Sequence, residues 1–197
     1  MSSVSLVIAR YDEDLSWADK INVDKFIYNK GIDEIENSIK LNNIGLEPHT
    51  FLYHIVNNYN NLSDHTFFLQ GRPHDHYADI ENKILEYVDG KTEDFELIGY
   101  PLTEHVNDWN FTLVGYKTCF GYDPNFTFYV FKPGGQFVVS KEKILSNPIE
   151  FYQYLYNCYY LDQSDPLYVV HGTKNMFGLP HVFERFWSKV FGEENGV

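Results

Sequence analysis

The sequence predicts an α/β fold: a single domain over residues 1–197, with a mainly parallel sheet flanked by helices. Two observations predict it. Short apolar runs alternate from the outset with helix-length amphipathic segments, the pattern of strand–helix–strand units around a parallel sheet. The 197 residues, 44% of them hydrophobic, can enclose one sizeable core, and no repeat, low-complexity tract or linker marks a boundary.

"SVSLVIAR" is an apolar run ending at a charged cluster and reads as a first, buried strand. "DEDLSWADKI" has the length of about two helical turns, with Leu15 and Ala18 or Asp19 on one face. "DKFIYNKG" reads as a second strand stopped by Asn29-Lys30-Gly31. Residues 47–60 give the clearest helix, with Pro48 in the first turn and Leu52, Ile55, Val56 and Tyr59 as its stripe. "HTFFLQG" is a third strand, and "HYADIENKILEYV" a helix with Tyr77, Ile80, Ile84 and Val88 on one side, closed by Asp89-Gly90.

Residues 91–133 carry turn signals at Gly99, Pro101, Gly115, Gly121 and Pro124. They read as irregular loops with one or two strands such as "FTFYVF". "GGQFVVS" is a further strand entered through a glycine pair. "NPIEFYQYLYNCYYL" is a helix with Asn147 as cap and Pro148 at its first position. A loop over 162–179 leads to the last helix, "PHVFERFWSKVFG", with Phe183, Phe186, Trp187 and Val190 as its apolar stripe.

Fifteen Lys and Arg against 28 Asp and Glu give a net charge of −13, with no basic cluster, which argues against a nucleic-acid partner. An anionic small molecule remains compatible, held by one or two local cations, a helix N-terminus and a divalent metal. Cys119 and Cys158 make no disulfide framework. The start "MSSVSLVIARYDED" has no basic segment, and no apolar run approaches the roughly 20 residues that span a bilayer. The expectation is a cytoplasmic chain with no transmembrane segment.

Four clusters carry candidate chemistry, and each has a plain structural alternative. In "ARYDEDLSW", Arg10 suits a diphosphate and Asp12, Glu13 or Asp14 a ribose or base edge; equally, Asp12 caps a helix. In "NIGLEPHTFLYH", Gly45 permits close backbone approach, and Glu47 and His49 open a helix whose N–H groups attract anions; equally, the segment is a turn and His49 a surface residue. In "RPHDHYAD", Asp75 and Asp79 one turn apart suit a hard cation, and His74 with His76 a zinc ion given further ligands such as His49 or His181; equally, Asp75 is an N-cap. Finally, Gly134-Gly135 suits packing against a flat ligand, and Glu184, at i+3 from His181, suits a general base; equally, it lies on a solvent face.

Taken in order, "VIARYDEDLSW", "IYNKG", "NIGLEPHTFLYHIVNNYNNL", "FLQGRPHDH", "GGQFVVSKEKILSNPIEFYQYL" and "VFERFWSKVFG" resemble a family known only as a domain of unknown function. That family is in turn similar to GT-A-type glycosyltransferases, which are Rossmann-like. The resemblance implies transfer of a sugar from a nucleotide-diphosphate sugar to a glycan or other hydroxyl acceptor. By it, Arg10, Glu13, Gly45, Gln70 and Gly135 would hold the donor, and Asp75, with His76 or His74, would hold Mn²⁺ or Mg²⁺. Glu184 would be the base, with His49 placing sugar hydroxyls. Two other readings stay open: a His/Asp metal-dependent hydrolase built on His49, His74, Asp75, His76 and His181, and a non-catalytic carbohydrate-binding or interaction module.

Overall fold

The computed structural model describes residues 3–106, 110–160 and 178–192. The expected loop over 162–179 therefore lies almost wholly outside the described residues. A six-stranded sheet is built from β1 (Val4–Arg10), β2 (Asp24–Asn29), β3 (Ser38–Lys40), β4 (His65–Gln70), β5 (Phe95–Ile98) and β8 (Gln136–Ser140). The spatial order is β3-β2-β1-β4-β8-β5. Between β5 and β8 the chain forms a small second sheet from β6 (Leu102–His105) and β7 (Phe128–Phe131).

The large sheet is mixed, and the expectation of a mainly parallel one is corrected here. The first four strands are parallel, but β8 runs antiparallel to both β4 and β5. The reason lies in the Gly134-Gly135 pair, both at positive φ (93° and 59°). They deliver the chain to the carboxyl end of β4, so the next strand can only run back along it.

Strand residues alternate between two apolar layers, as a period of two requires. Val7, Phe68, Phe137 and Val139 face a layer with α2 (Leu46–Asn58), α4 (Asn110–Phe120), α6 (Ile149–Asn157) and α7 (Leu179–Val190). Leu6, Ile8, Phe67, Leu69 and Val138 face the other, with α1 (Ser16–Asp19) and α3 (Ile80–Val88). A fifth helix, α5 (Lys141–Leu145), follows β8 directly and is capped by Ser140 Oγ, which accepts from the Lys143 N–H at 3.1 Å. Among the described residues no helix is long and apolar enough to cross a membrane.

Several elements depart from expectation for identifiable reasons. The two-turn helix over 12–21 shrinks to the single turn α1. Asp14 takes the Ser16 N–H (3.0 Å) and hydroxyl (2.7 Å), and Glu13 takes the Tyr11 N–H (2.7 Å), so side chains compete with helical bonding. α3 starts at Ile80 because Pro73–Asp75 forms a 3-10 turn. The region 91–133 contains α4 where the sequence predicts irregular loop. Gly115 there is a contact residue rather than a turn residue: a β-carbon on it would stand 2.3 Å from Val182 on α7. α6 begins at Ile149 with Pro148 as cap, because the Asn147 amide instead donates to the Val190 carbonyl at 2.8 Å. On α2, Leu52 and Ile55 are buried as expected, but so are Pro48, His49, Phe51 and His54, since the helix is covered by α6 and α7 as well as by the sheet.

Phe137 sits at the centre of the larger layer, its ring 4.8 Å from those of Phe68 and Trp187. Phe137→Ala should lower the unfolding free energy by about 3–5 kcal/mol. The check is a shift in the urea midpoint with an unchanged slope.

Candidate active site

Parallel pairing places Ala9 beside Gln70 and Arg10 beside Asn29, so the carboxyl ends of β1, β2 and β4 form one rim. From β1 the chain progresses towards β2 and β3, then returns through α2 to β4 on the other side of β1. α1 lies on one face and α2 on the other. Such a reversal leaves a crevice at the strand ends. A cleft of about 380 Å³ opens there, lined by Arg10, Glu13, Lys30, Asn43, Glu47 and Gln70 among others.

Arg10 shapes the first wall. Its guanidinium forms a two-pronged pair with Asp33 (2.9 and 2.7 Å) and donates to the Asn29 side chain (3.1 Å) and the carbonyls of Tyr11 (3.0 Å) and Glu13 (2.8 Å). Most of its donors are thereby spent on the loop. Glu13 abuts Gly71: a β-carbon there would lie 2.5 Å from the carboxylate. Backbone and carboxylate therefore meet at the strand end.

The cleft also holds Lys30, which sequence reasoning did not select, and Glu47, which it read only as part of a helix start. Lys30 is only 7% exposed, and its ammonium donates to the carbonyls of Ile44 (2.8 Å) and Leu46. Burial pushes its pKa down to about 7 despite the Glu47 charge. Glu47 opens α2 after Gly45, which caps the helix at φ 66°. Burial pushes its carboxyl up to about 7, with Glu184 adding to the rise, while backbone donation, Lys30 and Gln70 pull it back. The only sequence signal was position: Lys30 ends an apolar run at a glycine, and Glu47 stands at a helix start.

The floor passes to the glycine pair. The Gln70 amide donates to the Gly134 carbonyl at 2.9 Å, and the Gly134 N–H donates to Glu184 Oε1 at 2.7 Å. The other oxygen of Glu184 meets His181 Nδ1 (3.5 Å) and Arg185 Nη1 (3.3 Å). Burial pushes the Glu184 carboxyl up, but His181, the Gly134 N–H and Arg185 outweigh it and hold the group below its usual range. Gly135 packs on α7, its added β-carbon 3.5 Å from both the Glu184 backbone and the Trp187 indole nitrogen.

The histidine triplet divides. His74 Nε2 pairs with both Glu81 carboxylate oxygens at 3.0 Å, with its ring edge-on to Trp17. Asp75 is exposed, and the His76 ring packs against Gly134. Among the described residues no three His, Cys, Asp or Glu side chains gather as metal ligands. His49 is buried away from the triplet, with Nε2 2.7 Å from the Tyr160 hydroxyl, and burial pushes its pKa down to about 3. Gly45 permits a close approach to the Tyr159 ring, which a β-carbon would meet at 2.3 Å. The rim thus brings together Arg10, Glu13 and Gln70, and through Gly134 also Glu184 and His76. His49, His74 and Asp75 are not among the lining residues: His49 pairs with Tyr160, His74 with Glu81, and Asp75 is exposed.

Residues 6–92 match the model of a family described as a protein of unknown function (DUF3431). The match spans the blocks from "VIARYDEDLSW" to "FLQGRPHDH", and over that stretch the resemblance to an uncharacterised family holds. No curated protein and no solved structure matches the chain.

Two outcomes follow from this geometry. Gly134→Ala puts a β-carbon 2.5 Å from the His76 ring at φ 93°, and should cost about 1–3 kcal/mol of stability, read as a lower melting temperature. The Lys30 amine, ordinarily protonated up to pH 10.5, is protonated in the folded chain only to about 7. Across that window unfolding takes up a proton, so its contribution to stability grows as pH rises. The gain in melting temperature from pH 7 to 10 should accordingly be smaller in Lys30→Met than in the wild type.

Proposed function

We propose that this chain is a glycosyltransferase that moves a sugar from a nucleotide-diphosphate sugar to a hydroxyl of a glycan or other acceptor. The observation that carries the reading is the cleft at the β1–β4 reversal, where a buried ammonium and two carboxylates line one crevice. Crevices at this place in a doubly wound sheet suit nucleotides. Lys30 and the start of α2, a 13-residue helix, offer an ammonium and helix N–H groups to a diphosphate. Glu13 suits ribose hydroxyls, and Gln70 with the Gly134-Gly135 turn suits the sugar. Arg10 supports the loop that carries Glu13.

The His74-Asp75-His76 triplet does not fit a bound cation, because His74 is committed to Glu81, the His76 ring packs against Gly134, and no three such side chains gather among the described residues. No step is assigned to a metal on these residues. Mn²⁺ or Mg²⁺ would enter with the donor as its diphosphate chelate. The hydrolase reading needs His49, His74, Asp75, His76 and His181 around one ion, and these do not gather among the described residues.

A thermal-shift series with nucleotide-diphosphate sugars, with and without Mn²⁺, tests the reading. A donor at about 100 times its dissociation constant should stabilise the wild type by roughly 2.7 kcal/mol. Lys30→Met should lose most of that shift while still melting cooperatively. No shift with any nucleotide-diphosphate sugar would overturn the assignment.

A further inference from the structure

We propose that Glu47 is the general base that takes the proton from the acceptor hydroxyl, and that Glu184 is a positioning residue acting on it through charge. The inference rests on the transferase reading and adds a division of labour between two carboxylates within it.

Geometry separates the two groups. Glu47 lines the cleft together with Arg10, Glu13 and Lys30. Glu184 is not among the lining residues, and both of its oxygens are taken, Oε1 by the Gly134 N–H and Oε2 by His181 and Arg185. A carboxylate with three donors around it is a poor proton acceptor, since each donor stabilises the charged form. Glu47 has the opposite surroundings. The groups that act on it electrostatically are Lys30 just after β2, Glu184 on α7 and Tyr159 in the turn after α6, with the uncharged Gln70 amide on β4 favouring its ionised form. Of the charged neighbours, Lys30 favours its ionised form and Glu184 opposes it, so a fixed negative charge keeps the base from being too weak.

The step balances without a further reactant. The acceptor oxygen forms a bond to the anomeric carbon as the bond from that carbon to the diphosphate oxygen breaks. The electron pair leaves with the nucleoside diphosphate, and the hydroxyl proton passes to Glu47 and then to solvent. General bases work best with a pKa near the operating pH, and burial together with Glu184 brings Glu47 up to about 7.

Two variants and one titration test the division of labour, using a donor that shifts the wild-type melting temperature. Glu47→Gln should keep that shift but lose about 10²–10⁴-fold in kcat. Glu184→Gln keeps an acceptor for the Gly134 N–H but removes the like charge. It should retain turnover within about tenfold, and move the acidic limb of the rate profile to lower pH. Carboxyl-carbon NMR of the wild type should find Glu47 titrating near neutrality, and lower in Glu184→Gln. Donor binding with undiminished turnover in Glu47→Gln overturns the role of Glu47 alone. An unmoved acidic limb in Glu184→Gln, or loss of turnover there with Glu47→Gln active, overturns the division of labour. If no nucleotide-diphosphate sugar binds the wild type, the transferase reading falls and this role with it.

Discussion

The reversed pairing of β8 against β4 is the constraint on which the rim depends. Parallel strands deliver only their carboxyl ends to a given edge, so β1, β2 and β4 bring Arg10, Lys30 and Gln70 there. An antiparallel neighbour delivers its beginning instead. β8 therefore contributes the loop that precedes it, and that loop holds Glu184 by the Gly134 N–H. Gln136 secures the join, its side chain accepting from the Gln70 N–H at 3.1 Å and donating to the Pro73 carbonyl at 3.3 Å. With β8 parallel, the glycine pair would lie at the far edge and α7 would have no hold on the cleft.

That join also explains why the glycines cannot be replaced cheaply. Gly134 is hemmed by the His76 ring, whereas at Gly135 the neighbours on α7 stand at ordinary contact distance and the positive φ of 59° is what favours glycine. The pair is a three-way contact between the loop after β4, the start of β8 and the first turns of α7. Arg185 extends it to the small sheet, through Glu104 on β6 (2.8 and 3.1 Å) and the Tyr129 hydroxyl on β7 at 3.2 Å. A polar chain thus runs from Gln70 to β7 across a core of mixed aromatic and aliphatic side chains. Its groups are paired along the way, which is what makes such a chain tolerable in a low-dielectric interior.

The legible parts of this architecture were those written in periodicity. β1, β2, β4, β8 and the stripe of α7 follow from apolar runs and 3.6-residue spacing, and the rim follows from them once the first four strands are taken as parallel. The direction of β8 was not legible, because a glycine pair announces a turn without saying which way the chain leaves it. α4 was hidden by Gly115, whose missing side chain serves helix packing and which by sequence alone is indistinguishable from a loop glycine. In the site, Arg10 and Glu13 were found by their place after a strand. Lys30 was missed because a lysine beside a glycine looks like any solvated turn; only burial distinguishes it. The histidines misled in the opposite sense, since His74 has a local carboxylate in Glu81, seven residues away, that no short motif would show.

The charge of the chain sharpens the meaning of Lys30. A net charge of −13 repels an anionic donor at long range, so any such ligand must be held by local groups. The buried cations among the described residues are Arg10, Lys30 and Arg185. Arg10 is matched by Asp33, and Arg185 by Glu104 and Glu184, so each brings its own counter-charge. Lys30 donates instead to the backbone carbonyls of Ile44 and Leu46, which orient the ammonium, and its charged neighbour Glu47 is itself pushed towards the neutral form by burial. A pyrophosphate entering the cleft would supply the full counter-charge the carbonyls do not, and would favour the protonated amine that burial disfavours. Binding of the anion and protonation of Lys30 are then one linked event. On the transferase reading, a chain hostile to polyanions would favour a ligand small enough to reach a single buried amine.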